Sequence, residues 1–206
     1  MLNNVLVLCA HPDDELCCAG TVAKLQEHGA TVHCAVFSLC EESIPEGFNK
    51  DTLLHEFSDS VDVLGMIPHT AYARYPVRNF PTYRQGILED LRRLREDTHP
   101  DLVFVPSLSD IHQDHHVIAE EGLRAFKFCS VLGYELPLNT ITFNHACFIS
   151  LSEPHFQKKL DVMECYESQA FRPYMTKDFV TSLACVRGAQ AGVALAEAFE
   201  VLRIKW

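Results

Sequence analysis

The sequence predicts an α/β fold: a mostly parallel sheet with helices on both faces. Three observations predict it. Aliphatic, strand-like runs alternate with helical segments along the chain, the order that builds parallel sheets from repeated strand–helix units. The runs Asn4–Cys9 and Leu102–Val105 are apolar at nearly every position rather than at every second one, as strands buried on both faces are. Polar, chemistry-bearing residues follow both runs, at the carboxyl ends of strands where open α/β sheets bind ligands.

The elements follow in order. After the first strand, Glu15–His28 has helical spacing, and Gly29 is suited to the left-handed stop. Thr31–Phe37 is the second strand. Asp51–Leu64 is a helix with Asp51 as its N-cap and Gly65 as its stop. Thr82–Thr98 is an amphipathic helix whose Ile87, Leu88, Leu91 and Leu94 line one face. The strand Leu102–Val105 sits between Pro100 and Pro106. His115–Phe128 is helical, Thr140–Ile149 a strand and Pro154–Tyr166 a helix. At the end, Ala189–Ala198 reads as a small-residue helix and Val201–Trp206 as a last strand. The longest irregular stretches are Glu41–Lys50 and His69–Pro81, and loops of that length are often functional.

At 206 residues the chain suits one domain, 1–206. Its composition, 48% hydrophobic and 22% charged, is that of a globular protein with a core. The net charge of −11 argues against nucleic acid as a partner, because such surfaces track phosphates with Lys and Arg. The densest basic stretch, Arg92-Arg93-Leu94-Arg95, is interleaved with Glu89, Asp90 and Glu96 and fits a solvated helix face. No apolar run approaches the roughly 18 residues of a membrane span, and the N-terminus lacks the pattern of a secretory signal, so a cytoplasmic location is expected. Nine cysteines, an odd number without a C-x-x-C pair, are expected to be free and mostly buried.

Two segments carry the chemistry. Ala10-His11-Pro12-Asp13-Asp14-Glu15 follows the first strand, and one imidazole with two carboxylates makes half of a metal site. One aspartate alone is explained as a helix cap; both together with His11 are not. Ser109-Asp110-Ile111-His112-Gln113-Asp114-His115-His116 follows the strand Leu102–Val105. Parallel strands bring both segments to one sheet edge. A His, a carboxylate and a second His leave an open coordination position, the arrangement of a catalytic metal.

The pair of motifs resembles the LmbE/PIG-L family of zinc-dependent de-N-acetylases. Tyr75–Gln85, Tyr166-Glu167-Ser168-Gln169 and Ala196-Glu197-Ala198-Phe199 lend weaker support. The family often has Pro where Gln113 stands. The resemblance implies a Rossmann-like fold and one Zn2+ per chain, other divalent metals being open. It implies that His11, Asp14 and His115 bind the metal, that Asp13 is the general base, and that His112 is the electrophilic or acid partner. The proton for the leaving amine would come from His112 or from protonated Asp13. The substrate would be a small N-acetylated amino sugar.

Asp114 either orients an imidazole or caps a helix, while Asp110 and His116 read as ordinary structural or solvent residues. Arg78, in an aromatic, Pro-flanked loop, is the better substrate-binding candidate; Arg84 reads as a solvent-facing helix residue. Pairing through an edge strand or the apolar C-terminus would make a homo-oligomer. A phosphoesterase-like metallohydrolase and a non-catalytic metal or sugar-binding module are the competing readings.

Overall fold

The computed structural model describes residues 2–205. Seven strands form one sheet: β1 (Asn4–Cys9), β2 (Thr31–Val36), β3 (Ile67–His69), β4 (Leu102–Pro106), β5 (Ser130–Tyr134), β6 (His145–Ser150) and β7 (Ala196–Arg203). Their order is β3-β2-β1-β4-β5-β7-β6. The pairs β3–β2, β2–β1, β1–β4 and β4–β5 are parallel, while β7 runs antiparallel to both neighbours. The chain therefore winds outward from β1 in one direction and from β4 in the other. The switch point of the fold lies between the two strands that carry the motifs.

Helices cover both faces, as the doubly apolar strands require. In β1, Val5, Val7 and Cys9 pack into one core cluster, with Val22 of α1 (Ala19–Glu27) and Phe57 and Val61 of α2 (Thr52–Leu64). Leu6, Leu8 and Ala10 pack into the other cluster. There they meet Ile87, Leu91 and Leu94 of α3 (Phe80–Thr98), and Val117 and Ile118 of α4 (Gln113–Ala125). The period-two alternation of a strand thus feeds two cores at once. A smaller cluster joins Phe156 and Leu160 of α5 (Glu153–Glu164) to Val180 and Ala184 of α6 (Lys177–Ala191). α4 approaches the sheet closely at Gly122, where a Cβ would stand 3.0 Å from Val105.

The helix stops at Gly29 and Gly65 hold, both glycines having positive φ. Asp51 occupies the N-cap position of α2, but its side chain makes no capping bond. The nine cysteines are free. The C-terminal region differs from the expectation. Ala189–Ala198 is not a helix: α6 begins at Lys177 and stops at Ala191, Gly192 takes the left-handed cap, and Ala196 opens β7. Alanine's helix propensity is a weak force, and pairing on both sides between β5 and β6 overrides it. The last strand consequently starts earlier than Val201 and ends at Arg203; Trp206 lies outside the described residues. Two short strands, β3 and β5, were not expected. Among the described residues no helix is long and apolar enough to cross a membrane.

At the β2–β3 edge, His33 Nδ1 and His69 Nε2 lie 3.0 Å apart. Partial burial lowers the pKa of both, and His33 lowers that of His69 further. The unfolded chain takes up protons at these rings first, so this contribution is present above the ordinary value of about 6.5 and lost as pH falls through the lowered values. The margin in melting temperature of wild type over His33→Gln is expected to shrink as pH falls below about 6.5. Equal pH slopes in the two proteins would contradict this.

Candidate metal centre and active site

The first segment leaves β1 at Cys9 and turns through His11-Pro12-Asp13 into a short 3₁₀ helix, Asp14–Cys18. Asp13 has φ 92° and sits in the left-handed region, a conformation that costs a non-glycine residue about 1–3 kcal/mol and gathers at functional sites. It holds the N-cap position, yet its side chain makes no capping bond, so capping does not explain it. The Asp14 carboxylate turns back instead, accepting from the His11 backbone N–H at 3.0 Å through Oδ2.

The second segment descends from β4 into α4, with His112 as the N-cap residue. The two segments meet. His11 Nδ1 stands 3.0 Å from His115 Nε2, and Asp14 Oδ1 stands 3.4 Å from the same nitrogen. Nitrogens of His11, His112 and His115 all lie within 4.8 Å of one another. Two ligands of a tetrahedral zinc are about 3.4 Å apart, given bonds of about 2.0–2.1 Å, so the spacing suits a small divalent ion.

The ring nitrogens that face away from this point are also instructive. His11 Nε2 lies 3.0 Å from Asp114 Oδ2, and His115 Nδ1 lies 2.8 Å from Asp110 Oδ2. A carboxylate behind each imidazole fixes its tautomer and raises its basicity, as at metal sites. Burial works against a charge on His115, but Asp14 and Asp110 outweigh it and raise its pKa to about 9. The surroundings thus favour positive charge at this point. The result is a His-rich centre able to coordinate a divalent metal.

His112 differs from the other two. Its Nδ1 accepts the backbone N–H of Asp114 at 3.2 Å, so in the neutral ring the proton sits on Nε2. Burial, together with His115 and His11, lowers its pKa to about 4. A neutral ring with Nε2–H is a hydrogen-bond donor, not a ligand, in that tautomer. Asp13 is likewise set apart. Burial, then the charges of Asp14 and Glu15, push its pKa well up, while Arg172 and His115 oppose the shift. Tyr174 donates to its Oδ2 at 3.3 Å. A carboxyl with raised proton affinity is suited to accept a proton near neutral pH.

Asp114 lies inside α4 and does not cap it, since His112 holds the N-cap position. Besides facing His11, it accepts the backbone N–H of Arg78 at 2.5 Å and of Phe80 at 3.2 Å, which anchors the start of α3 rather than of its own helix. Arg78, with φ 67°, is exposed and lines a cleft of about 380 Å³ together with His11, Asp13, His112 and His115. That volume falls within the range of small-molecule sites. Arg84 instead pairs with Glu120 and Glu121 of α4. His116 is exposed beside Glu120.

Three contributors escaped the sequence. Asp110 is buried and bonds both His115 and the backbone of His112; its place two residues before His112 was the available signal. Arg172 and Tyr174 line the cleft from the segment between α5 and α6, and no local pattern marks them. Glu15 lies just behind the site. Ser60 and Tyr166 both donate to one of its carboxylate oxygens, the other oxygen has no partner, and burial raises its pKa to about 7.

The fold and the site together define an α/β protein with a His/Asp metal-type centre at the sheet's switch point. The chain belongs to the PIG-L (GlcNAc-PI de-N-acetylase) family, whose model matches residues 6–126. It is 26% identical over 171 residues to the uncharacterized deacetylase YaiS of Escherichia coli K12, covering 80% of this chain and 90% of that protein. Among solved structures it resembles the N,N'-diacetylchitobiose deacetylase of Pyrococcus horikoshii, with TM-score 0.78 and 17% identity, covering 98% of this chain and 84% of that one. It also resembles GalB, the 4-carboxy-2-hydroxymuconate hydratase of Pseudomonas putida KT2440, with TM-score 0.79 and 18% identity over 99% and 98% of the chains.

Proposed function

We propose that this chain is a zinc-dependent hydrolase that removes the N-acetyl group from a small amino-sugar derivative. The observation that carries the reading is the meeting of the two strand-end segments, which brings Asp13 and His112 to one cleft with His11, Asp14 and His115. A hydratase shares the fold, so the argument rests on the site residues. Membership of the de-N-acetylase family and the deacetylase names of two relatives support it. A two-metal phosphoesterase needs a larger ligand set, whereas the metal-type cluster among the described residues comprises His11, His112 and His115.

In this reading His11 Nδ1, Asp14 Oδ1 and His115 Nε2 hold the ion. Bound there, zinc supplies Lewis acidity that acidifies a water and polarises the amide carbonyl. Asp13 takes the proton from the attacking water and passes it to the departing amine nitrogen. His112 donates Nε2–H to the developing oxyanion, where a preorganised donor acts without reorganisation. Arg172 and Tyr174 hold Asp13 in place, and Arg78 meets the polar part of the substrate.

Incubating the zinc-loaded protein with a panel of N-acetylated sugar derivatives tests this directly. Acetate release that is abolished by chelation and restored by zinc is expected; no release from any of them would overturn the reading. A further expectation concerns Asp110. Replacing it with Asn removes the acceptor charge behind His115 and weakens zinc binding by about 10–100-fold, measurable by competition with a chromogenic chelator. Unchanged affinity would remove Asp110 from the ligand support.

A further inference from the structure

A second hollow opens behind Asp13. It has a volume of about 50 Å³, several times the roughly 10–15 Å³ that one water needs. Leu16, Phe179, Val180 and Leu183 contribute its apolar wall. Asp13, Leu136 and Tyr174 line both this hollow and the cleft, so the two spaces adjoin at these three side chains. The phenol of Tyr174 is half-buried there and bonded to Asp13 at 3.3 Å.

Apart from Asp13, the charged residues of the wall are matched in pairs. Lys159 Nζ lies 2.6 Å from Glu197 Oε1, and Arg187 donates through Nε to Glu135 Oε2 at 3.0 Å. Those groups are satisfied by each other, so the hollow suits an uncharged, apolar guest.

We infer that this hollow receives the aliphatic tail of the acyl group, so that N-acyl amino sugars with chains longer than acetyl are substrates. The inference rests on the proposed hydrolysis. In that step the water oxygen bonds to the acyl carbon, and the carbon–nitrogen bond breaks with its electron pair on nitrogen. Nitrogen takes the proton from Asp13, and the acyl group leaves as a carboxylate. The acyl carbon must therefore lie beside Asp13, where the cleft and the hollow adjoin, and its substituent is the part of the substrate nearest the hollow. The sugar side cannot use this hollow, because burying hydroxyls against leucine and phenylalanine leaves them unbonded. It fits the polar cleft, where Arg78, His112 and Asn139 lie.

The test compares N-acetyl-, N-butyryl- and N-hexanoylglucosamine on the zinc-loaded enzyme, and measures binding of acetate, butyrate and hexanoate to the same protein by NMR titration. Wild type is expected to cleave the butyryl substrate with kcat/KM at or above the acetyl value, and to bind butyrate at least about tenfold more tightly than acetate, the low end of what added methylene groups contribute in an apolar pocket. Leu183→Trp, which fills the hollow from a half-buried position, is expected to lower the butyryl-to-acetyl ratio by at least about tenfold. Phe179→Ala, which enlarges it, shifts the preference toward hexanoyl. Circular dichroism checks that both variants fold.

Acetyl cleavage accompanied by chain-length ratios and alkanoate affinities that neither variant moves would overturn the inference while leaving the deacetylase reading intact. Absence of cleavage, with alkanoate binding that strengthens with length and is lost in Leu183→Trp, would overturn the deacetylase reading and leave the apolar subsite standing.

Discussion

Asp13→Asn is expected to retain its zinc and to lose about 10²–10⁴-fold in kcat, equivalent to about 3–5 kcal/mol of transition-state stabilisation. Asn is the informative replacement. Asp13 sits at φ 92°, a region Asn tolerates better than Ala, so the loop keeps its shape while the proton acceptor disappears. Metal content should stay at one ion per chain, since the proposed ligands His11, Asp14 and His115 are untouched. The metal-free protein should be as stable as wild type or more so. Burial, Asp14 and Glu15 all disfavour the ionised Asp13, and the neutral amide removes that repulsion. A fall in activity with no fall in melting temperature is the signature of a group strained and desolvated for chemistry. Zinc loss in the variant would move Asp13 into the ligand set, and activity within about threefold of wild type would exclude it as the general base.

The readability of this molecule follows the range of its forces. β1 and β4 were legible because cover on both faces forces near-continuous aliphatic runs, and the motifs beyond them were legible because their residues are near neighbours in sequence. The parallel order then brought His11 and His115 together without further information. β3 was not legible: it is a three-residue strand, Ile67–His69, with Pro68 at its middle. β5 carries Gly133, which weakens any strand signal. Around Ala189–Ala198 local propensity and tertiary pairing disagree, and the pairing of β7 with two neighbours prevails. The site divides in the same way. Asp110 was in view beside His112, but its burial, which makes it an imidazole's partner rather than a loop residue, is a property of the fold. Tyr174 reaches Asp13 across 161 positions, and nothing near residue 174 in the sequence signals that contact.

Glu197 shows how the reversed strand supports the site, and its removal is expected to have the largest effect on stability. Its side chain, 5% exposed, accepts the backbone N–H groups of Gly20 at 3.2 Å and Thr21 at 2.7 Å. Those are donors of the first turn of α1 that the helix itself leaves unpaired, so a carboxylate from β7 caps a helix far away in sequence and complements its dipole. Lys159 of α5, 6% exposed, completes the arrangement. It pairs with Glu197 at 2.6 Å and also donates to the carbonyls of Leu16 at 2.7 Å and Cys17 at 3.3 Å. The 3₁₀ helix that carries Asp14 is thereby tied to the opposite end of the chain. Glu197→Ala leaves a buried ammonium unpaired and two amides unbonded, at a cost of about 3–5 kcal/mol. For a chain of this size that lowers the melting temperature by roughly 6–20 °C. Attraction alone does not account for such a cost. The paired replacement Lys159→Met with Glu197→Leu removes both charges, and its loss should be smaller than that of Glu197→Ala. Calorimetric melts of the single and double variants decide the matter: a single-variant loss below about 1 kcal/mol would mean that water reaches Lys159, and that β7 does not hold the catalytic loop.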